Sequence, residues 1–273
     1  MNINFNDGHL TLTNAECFNL PLTLDCGQAF RWREIESGIW EGVAYGKYLK
    51  ISQEKDKVIF YDTTPEIFDE IWKKYFGFDV DYKEITDRLI HDKTLQNAVK
   101  DNYGIRILRQ EPWETLCSFI FSSSNNIKRI KGFIDKICRL YGDDLGNGNF
   151  TFPTAEKMAQ ISVEEFRNLG AGYRDKYLAD GAAKVAGGEI DLIEISNMPT
   201  ENARKELMKI KGVGKKVADC TLLFGFGHLE VCPVDVWIKR GLELYPDGLP
   251  QCFNGIQGLA QQYLFTYARE NLG

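Results

Sequence analysis

Histidine is rare in this chain, and its cysteines are neither paired nor clustered. Among 273 residues there are three histidines and seven cysteines. Their spacing contains no CxxC pair and no set of ligands that could hold zinc. An odd number of dispersed cysteines predicts reduced thiols rather than a disulfide framework, and the last three are too far apart for an iron–sulfur cluster. The residues are His9, His91 and His228, and Cys17, Cys26, Cys117, Cys138, Cys220, Cys232 and Cys252.

Long apolar runs and an export signal are also missing from the sequence. No run approaches the ~20 apolar residues that a membrane helix needs. The first ten residues, MNINFNDGHL, lack the basic start and the apolar core of a signal peptide. We therefore expect a cytoplasmic protein without a membrane partner.

Basic charge is in deficit overall, but it is unevenly distributed. The chain has 33 Lys and Arg against 39 Asp and Glu, a net charge of −6 with a pI near 5.3, which argues against bulk binding to nucleic acid. Residues 1–100 carry a net charge of −5, whereas residues 125–140 and 201–216 each carry +4. A single basic cluster is usually a solvated helix face, but two clusters in an acidic protein favour a nucleic-acid partner.

The hydrophobic pattern changes character near residue 65. A hydrophobic fraction of 44% and a charged fraction of 26% are typical of a folded globular protein. From Pro65 onward the apolar residues recur at intervals of three and four, which predicts helices. We predict an α+β fold with a small antiparallel β-rich domain over residues 1–100 and an all-helical domain over residues 101–273. The predicted strands are LTLTN, QAFRWREI, IWEGVAYG, KYLKIS and DKVIFYD, between residues 9 and 62.

Residues 200–245 contain the most informative pattern. A helix is predicted from Thr200 or Glu201 to Ile210, and a second helix from Lys215. Gly212 and Gly214 between them permit a tight turn, so that the amides around Val213, Gly214 and Lys215 point out of a helix N-terminus and can bind a phosphate. A Gly-x-Gly turn alone is equally typical of a plain helix connection, but the flanking lysines and the downstream PVD sequence favour DNA.

The second helix presents a candidate nucleophile. Lys216 and Cys220 are four residues apart and share one helix face. A half-buried lysine at the base of a helix can be desolvated, so that part of its amine is neutral and can attack carbon. Taken alone, Lys216 is more often a surface lysine and Cys220 a small core residue. Asp219, three residues after Lys216, could pair with it.

The sequence Pro233-Val234-Asp235 is typical of an extended entry to a helix. Pro233 disfavours helix in the residue before it, and Asp235 is then a natural N-cap. Main-chain N–H groups at a cap favour the ionised carboxylate, which can stabilise a cationic sugar near an amine nucleophile. Most such aspartates are structural caps only. We rank Asp235 above Asp219 as a catalyst, because a cap holds the carboxylate in place.

These motifs together resemble one enzyme family. KGVGKKVADC followed by CPVDVWIKRG resembles the helix–hairpin–helix DNA glycosylases with a catalytic aspartate, and more narrowly the 8-oxoguanine DNA glycosylase/AP lyase family. Further motifs follow in the family's order along most of the chain. They are CGQAFRW at 26–32, GIRILRQEPWETLCSFIFSSSNNIKRI at 104–130, GYRDKY at 172–177 and AQQYLF at 260–265.

The resemblance implies roles for the catalytic and base-binding residues. Lys216 would attack C1′ of the damaged nucleotide and form a Schiff base that allows β-elimination, with Asp235 as the catalytic carboxylate. Four further residues would hold the flipped base: Cys220 and Phe265 on its two faces, Gln261 at its pyrimidine-like edge, and the Gly27 carbonyl at the N7–H that distinguishes 8-oxoguanine from guanine. Gly27 would belong to a lesion-contact loop of a TBP-like sheet domain.

The resemblance also implies how DNA would be held. One group of residues would fill the vacated space and meet the orphan base, a second would contact phosphates, and a third would hold a structural cation through main-chain carbonyls. These groups are Asn126, Arg129, Tyr173 and Arg174; Gly212, Gly214, Lys215 and Trp237; and Met208, Ile210 and Val213.

Two positions depart from the family pattern. Ser124 stands where many relatives have the first of three asparagines, which leaves strictness for an orphan cytosine open. Trp237 stands where a histidine is usual, so the phosphate contact at that position is open as well.

The function predicted is that of a bifunctional glycosylase/AP lyase that excises 8-oxoguanine from duplex DNA. It requires no redox cofactor, acts as a monomer, and is associated with the nucleoid if its source is bacterial. Three alternatives are a related glycosylase for another damaged base, a catalytically silent helix–hairpin–helix DNA-binding protein, and an unrelated cytosolic enzyme. The presence of both Lys216 and Asp235 weighs against a silent binding protein.

Overall fold

The N-terminal strands form one antiparallel sheet in the computed structural model, which describes residues 1–272. The order within the sheet is β1-β2-β6-β5-β4-β3, so the last four strands follow one another as the predicted meander and the β1–β2 hairpin joins at β6. Strand β1 was not predicted. The strands are β1 (Asn2–Asn6), β2 (His9–Thr13), β3 (Arg33–Glu36), β4 (Ile39–Ala44), β5 (Lys47–Glu54) and β6 (Lys57–Tyr61).

Helices dominate the chain from Pro65 onward, which together with the sheet confirms the α+β class. Helix α1 within the strand region was not predicted. Before residue 110 the helices are α1 (Leu20–Asp25), α2 (Pro65–Ile67), α3 (Lys73–Tyr75), α4 (Tyr82–Ile90) and α5 (Gln96–Asp101). After it come α6 (Pro112–Ser122), α7 (Ile127–Tyr141), α8 (Ala155–Ala159), α9 (Val163–Phe166), α10 (Asp175–Ala186), α11 (Leu192–Ser196), α12 (Thr200–Leu207), α13 (Lys215–Thr221), α14 (Val236–Leu242) and α15 (Gln257–Asn271).

Several helices are joined or extended by turns of other types. A small hairpin, β7 (Asp144–Gly146) and β8 (Asn149–Phe150), follows α7 and was not predicted either. The π-helical segments are Phe68–Trp72, Arg167–Ala171 and Leu222–Phe226, and the 3₁₀ turns are Gly172–Arg174 and Gln251–Phe253.

Every second residue along strands β2 and β6 is apolar and buried, and these residues anchor the sheet. Leu10 and Leu12 on β2 are buried, as are Val58 and Phe60 on β6, and Leu10 lies opposite Phe60 in the antiparallel register. Side chains two residues apart on a strand point to the same face, so these residues form one apolar surface. That surface continues into a cluster of aromatic rings that includes Trp32, Trp72 and Phe76.

Helices α6 and α7 show how the helical region is built. Helix α6 is buried along almost its whole length, from Trp113 to Phe121, as expected for a central core helix. Helix α7 buries Ile130, Phe133, Ile134 and Ile137, whose spacing of three and four gives one apolar face. The basic residues of the 125–140 cluster lie on its other faces.

Contacts between residues group the chain into two compact units. Unit 1 comprises Met1–Gly42, Leu49–Arg109 and the chain from Gly227 onward, and unit 2 comprises Val43–Tyr48 and Gln110–Phe226. The division at residue 100, which follows from the change in hydrophobic pattern, stays a prediction. Within the described residues, no helix has the length and apolar character needed to span a bilayer.

Candidate active site

The glycine turn between α12 and α13 has the predicted hairpin geometry. Gly212 has φ +80°, and a Cβ there would lie 2.3 Å from the Tyr177 ring, so only glycine fits. Gly214 is the extended N-cap residue, and α13 begins at Lys215 as predicted. No side chain caps this helix start, and Lys215 is exposed there. The main-chain N–H groups of the first turn are therefore available to an anion.

The residues predicted to hold a cation lie in the same turn. Met208 is the C-cap of α12, and the carbonyl of Ile210 accepts from the N–H of Val213 at 3.0 Å. The described residues contain no group of His, Cys, Asp or Glu side chains that could hold a metal ion. A site here would depend on main-chain carbonyls, whose hard oxygen atoms suit alkali and alkaline-earth cations.

Lys216 lies in the first turn of α13 and is half-buried. Its Nζ is 3.5 Å from the hydroxyl of Ser122 and 5.1 Å from the centre of the Phe119 ring, both on α6. Within the described residues of its unit, the amine contacts no carboxylate. An amine between a neutral hydroxyl and an aromatic face, without a counter-ion, is available for reaction with an electrophile.

Asp219, three residues after Lys216, forms an ion pair with an arginine of α12. The Asp219 side chain is 2% exposed and accepts from Nε of Arg204 on α12 at 2.5 Å. Arg204 also pairs with Glu201. Burial raises the pKa of Asp219, although the hydrogen bond and charge of Arg204 oppose that shift. The pairing of Asp219 with Lys216 that the spacing allowed does not occur.

Asp235 caps α14, which confirms the prediction made from the Pro-Val-Asp pattern. Its Oδ1 accepts from the N–H of Ile238 at 2.8 Å, and the side chain is half-buried. Trp237 lies in the first turn of the same helix, and the Arg240 guanidinium stacks 4.9 Å above its ring. A tryptophan at this position therefore packs against a cation of its own helix.

The glycine of the predicted lesion-contact loop is held in an unusual backbone conformation. Gly27 has φ +86°, which favours glycine. The next residue, Gln28, is buried, and its amide donates to the carbonyls of Thr23 at 2.9 Å and Arg106 at 2.7 Å. Its oxygen accepts from the N–H of Leu108 at 2.9 Å. Gln28 therefore fixes the loop, a role that sequence reasoning missed because two of its three partners, Arg106 and Leu108, are about 80 residues away in the chain.

A cavity of about 560 Å³ in unit 1 borders the Gly27 loop and helix α15. Cys26, next to Gly27, and Phe265 on α15 both line it, together with Trp40 and Arg269. Burial raises the pKa of the Cys26 thiol to about 12, so the thiol is protonated and neutral at physiological pH. Gln261, one turn before Phe265, is buried and accepts from the amide of Gln262 at 3.1 Å.

Asn126 and Arg129 lie at the start of α7. The Asn126 side chain caps the helix by accepting from the N–H of Arg129 at 3.0 Å. Both residues are exposed, as a contact with DNA requires. Ser124, two residues earlier, has φ +50°, a left-handed conformation that is uncommon for serine.

Tyr173 and Arg174 differ sharply in exposure. Tyr173 is 55% exposed, whereas Arg174 is 4% exposed. The Arg174 guanidinium donates to the carbonyl of Ser123 from Nε at 2.8 Å, to Ser124 from Nη2 at 3.0 Å and to Ala171 from Nη1 at 3.5 Å. Its Nη2 also donates to the carbonyl of Ser123.

The predicted residues are distributed over both units. Unit 2 contains Lys216, Cys220 (which is buried on α13), the hairpin, the Asn126 loop and the Tyr173–Arg174 segment, whereas unit 1 contains Gly27, Asp235, Trp237, Gln261 and Phe265. Sequence reasoning missed Ser122 and Arg204 as neighbours of α13. A serine or an arginine in a helix has no local signal for such a role.

The chain is similar to known proteins in both sequence and structure. Two family profiles match adjoining parts of the chain: "8-oxoguanine DNA glycosylase, N-terminal domain" matches residues 10–116, and "HhH-GPD superfamily base excision DNA repair protein" matches residues 117–245. The N-glycosylase/DNA lyase of Saccharomyces cerevisiae is 34% identical in an alignment that covers 85% of this chain and 69% of that protein. A probable N-glycosylase/DNA lyase of Methanothermobacter thermautotrophicus is 30% identical, and the alignment covers 93% of this chain and 94% of that protein.

A solved structure is similar over the full length of the chain. It is the 8-oxoguanine glycosylase/lyase of Clostridium acetobutylicum in complex with double-stranded DNA containing cytosine opposite 8-oxoguanine. The identity is 36%, the TM-score is 0.94, and 100% of this chain and 99% of that chain are covered.

Proposed function

Since the chain belongs to the 8-oxoguanine DNA glycosylase family of helix–hairpin–helix base-excision repair proteins, we propose that it excises 8-oxoguanine from duplex DNA and then cuts the abasic strand. The resemblance inferred from its motifs is confirmed at the level of the family. The observation that carries the proposal is the position of Lys216, half-buried directly after the glycine hairpin and without a carboxylate partner in its unit.

Lys216 is the proposed nucleophile. Its neutral amine attacks C1′, the glycosidic bond breaks, and the base leaves with the bonding electron pair and takes up a proton. Opening of the sugar gives an imine between C1′ and Nζ. Loss of a proton from C2′ then expels the 3′ phosphate, which is the β-elimination step. The contacts of Lys216 with the Phe119 ring and the Ser122 hydroxyl are compatible with this role, because neither group is a counter-ion that would hold the amine in an ion pair.

Asp235 is the proposed electrostatic partner of the reaction. Positive charge develops on the sugar as the glycosidic bond breaks, and a fixed carboxylate stabilises that charge without reorganising. The hydrogen bond from Ile238 supports the assignment, because it holds the carboxylate in one orientation.

The base would be read by residues of both sequence regions. Within residues 1–100, the carbonyl of Gly27 accepts from N7–H of 8-oxoguanine, and guanine, which lacks that hydrogen, leaves the acceptor unpaired at a cost of about 1–3 kcal/mol. Within residues 101–273, Cys220 and Phe265 cover the two faces of the base, and Gln261 meets its edge. The hydrogen bonds of Gln28, the next residue, support the first assignment, since they hold the loop that contains the Gly27 carbonyl.

Duplex DNA would be held mainly through its phosphates and the vacated helix space. The hairpin at Gly212, Gly214 and Lys215 binds a phosphate, and the carbonyls of Met208, Ile210 and Val213 would hold a cation. Trp237 would lie on the phosphate side of the damaged nucleotide. Asn126, Arg129 and Tyr173 enter the space opposite the extruded base. A monomer carries out these steps in the cytoplasm, at the nucleoid if the source is bacterial.

Base release from a panel of lesions tests the proposal. Duplexes with 8-oxoguanine, 3-methyladenine, thymine glycol or undamaged guanine are incubated with the protein, and the released base and the nicked strand are both measured. We expect release and nicking with 8-oxoguanine to exceed those of the other duplexes by at least about tenfold. Preferential release of another base would assign the chain to a different lesion, and binding without release would contradict an enzymatic role.

A further inference from the structure

Helix α15 places three side chains of different chemistry on one of its faces. Gln261, Phe265 and Arg269 follow one another at intervals of four residues, so each lies about one helical turn from the next. Gln261 is the proposed reader of the base edge, and Phe265 is the proposed cover of one base face. Arg269, at the C-terminal end of this row, has no role in the site described above.

The guanidinium of Arg269 occupies one face of the Phe265 ring. Its Cζ atom lies over the ring at 5.4 Å from the centre, which is a cation–π contact. Gln261 lies one turn from Phe265 in the opposite direction along the helix. A base whose edge meets Gln261 therefore stacks on the ring face that Arg269 leaves open.

The Phe265 ring borders open space on the side of Arg269. The cavity of about 560 Å³ is lined by Phe265 and Arg269, whereas Gln261 does not line it. Phe265 is only half-buried, so its ring could tilt into this space if nothing lay against it. The guanidinium therefore supports the ring from behind and also places a positive charge there.

Base release is the step at which this charge matters. As the bond from C1′ to N9 breaks, both bonding electrons stay on the base, which carries negative charge until it takes up a proton. That charge spreads over the purine rings stacked against Phe265. A cation on the far side of the phenyl ring attracts the departing base more strongly than the neutral base of the intact nucleotide, so it lowers the barrier to bond cleavage.

We propose that Arg269 is a positioning residue, which backs the Phe265 ring with a positive charge and thereby favours departure of the base. The proposal rests on the proposed function, in which Phe265 covers the base. It predicts that Arg269 matters for base release and not for Schiff-base formation on an abasic site, where no base is present.

Two single-turnover rates, measured with enzyme in excess, test this role. One is the release of free base from an 8-oxoguanine duplex, and the other is borohydride trapping on a preformed abasic duplex. Solvent and the cavity acids Asp25 and Glu34 screen the charge, so we expect Arg269→Met to slow base release by only about fivefold. Trapping should stay within about twofold of wild type.

Arg269→Lys separates the charge from the packing of the side chain. Lysine keeps the positive charge over the ring, so base release should return to within about twofold of wild type. Methionine keeps an apolar contact with the ring and has no charge. Equal base-release rates for the two variants would overturn the proposal. An equal loss of both rates in Arg269→Met, as a general contact with DNA or a structural role would give, overturns it too, and so does unchanged base release.

A cation–π pair elsewhere in unit 1 provides the matched control. Nζ of Lys50 on β5 lies 5.2 Å from the centre of the Tyr61 ring on β6. Lys50→Met should leave both rates within about twofold of wild type, and a loss of base release equal to that of Arg269→Met would overturn the proposal.

Thermal melting checks that the variants are folded. Arg269 is exposed, so Arg269→Met should melt cooperatively. If it does not, Arg269→Gln replaces it with the same expected rates. A wild-type protein that releases no 8-oxoguanine would contradict the proposed function, whereas an active wild type with an equally active Arg269→Met variant would contradict only the role of Arg269.

Discussion

At the scale of single residues, Asp235 combines two tasks in one side chain. The carboxylate caps α14, and the same carboxylate is the proposed stabiliser of the cationic sugar. Asparagine caps a helix about as well as aspartate does, because its side-chain oxygen accepts the same bond, but it has no charge. The two tasks can therefore be separated by experiment.

Asp235→Asn should abolish base release while the free energy of unfolding changes by only a few tenths of a kcal/mol. Asp235→Ala should abolish release as well, and the lost cap should destabilise the protein by about 1 kcal/mol. Urea unfolding and base release, measured on both variants, check this. An active Asp235→Asn variant would show that the residue is only a cap.

A site residue could be predicted from the sequence when its contact partners lie close to it along the chain. The cap at Asp235 follows from a three-residue pattern, so the sequence predicted it. Lys216 could be placed at the start of a helix, but its neighbours Phe119 and Ser122 come from α6, more than 90 residues away in the chain. Such contacts arise from the packing of one helix on another, and helical periodicity alone does not identify the partner.

At the scale of elements, an ion pair joins the two helices of the hairpin. Arg204 on α12 holds Asp219 on α13, three residues after the proposed nucleophile. Because burial raises the pKa of Asp219, its ionisation in the folded protein opposes folding. The stabilising contribution of the bound proton is therefore complete below the ordinary pKa of 3.8 and is lost as the pH rises through the raised value.

Asp219→Asn should remove this pH dependence, because its amide cannot ionise. The free energy of unfolding of wild type minus that of Asp219→Asn should fall as the pH rises from below 3.8 and then level off. Urea titrations over this range check the sign. Asp135→Asn, which removes a carboxylate from an exposed pair with Arg139 on α7, is the matched control. A difference that grows with pH would contradict the buried state of Asp219.

The elements themselves were predicted unevenly. The starts of α13 and α14 were correct, since glycine and aspartate mark them locally. Strand β1 was missed because Met1, Ile3 and Phe5 are exposed and alternate with asparagines, a residue type that is depleted in strands. The short α1 was missed because its six residues are fewer than two turns, too few for helical periodicity to show.

At the scale of the whole molecule, the net charge of −6 conceals local basic surfaces. The exposed residues of α7 and of the hairpin carry the positive charge, and the excess of acid lies in residues 1–100. We therefore expect the protein to contact only a few DNA phosphates and to owe its specificity to the recognition of one base.

The salt dependence of duplex binding measures the number of phosphate contacts. We expect log Kd to change with log salt concentration at a slope of about 4–5 in magnitude, as roughly four to six phosphate contacts require. Lys215→Gln should reduce the magnitude by about 1, whereas Lys57→Gln on β6 should leave it unchanged. An equal effect of both variants would contradict a phosphate contact at the hairpin.

The grouping of the chain into units could not be predicted from composition. Unit 1 combines three separate stretches, including the helices after Gly227, and composition changes only along the chain. The family motifs predicted the family correctly, because each motif combines local geometry with chemistry at fixed spacing.

Covalent trapping of the enzyme on DNA tests the central claim most directly. Protein is incubated with an 8-oxoguanine duplex in the presence of sodium borohydride, and the adduct is mapped by peptide mass. Wild type should form an adduct at Lys216, Lys216→Gln should form none, and Lys215→Gln, one residue earlier on the same helix, should still form it. No adduct from wild type, or an undiminished adduct from Lys216→Gln, would contradict the proposed mechanism.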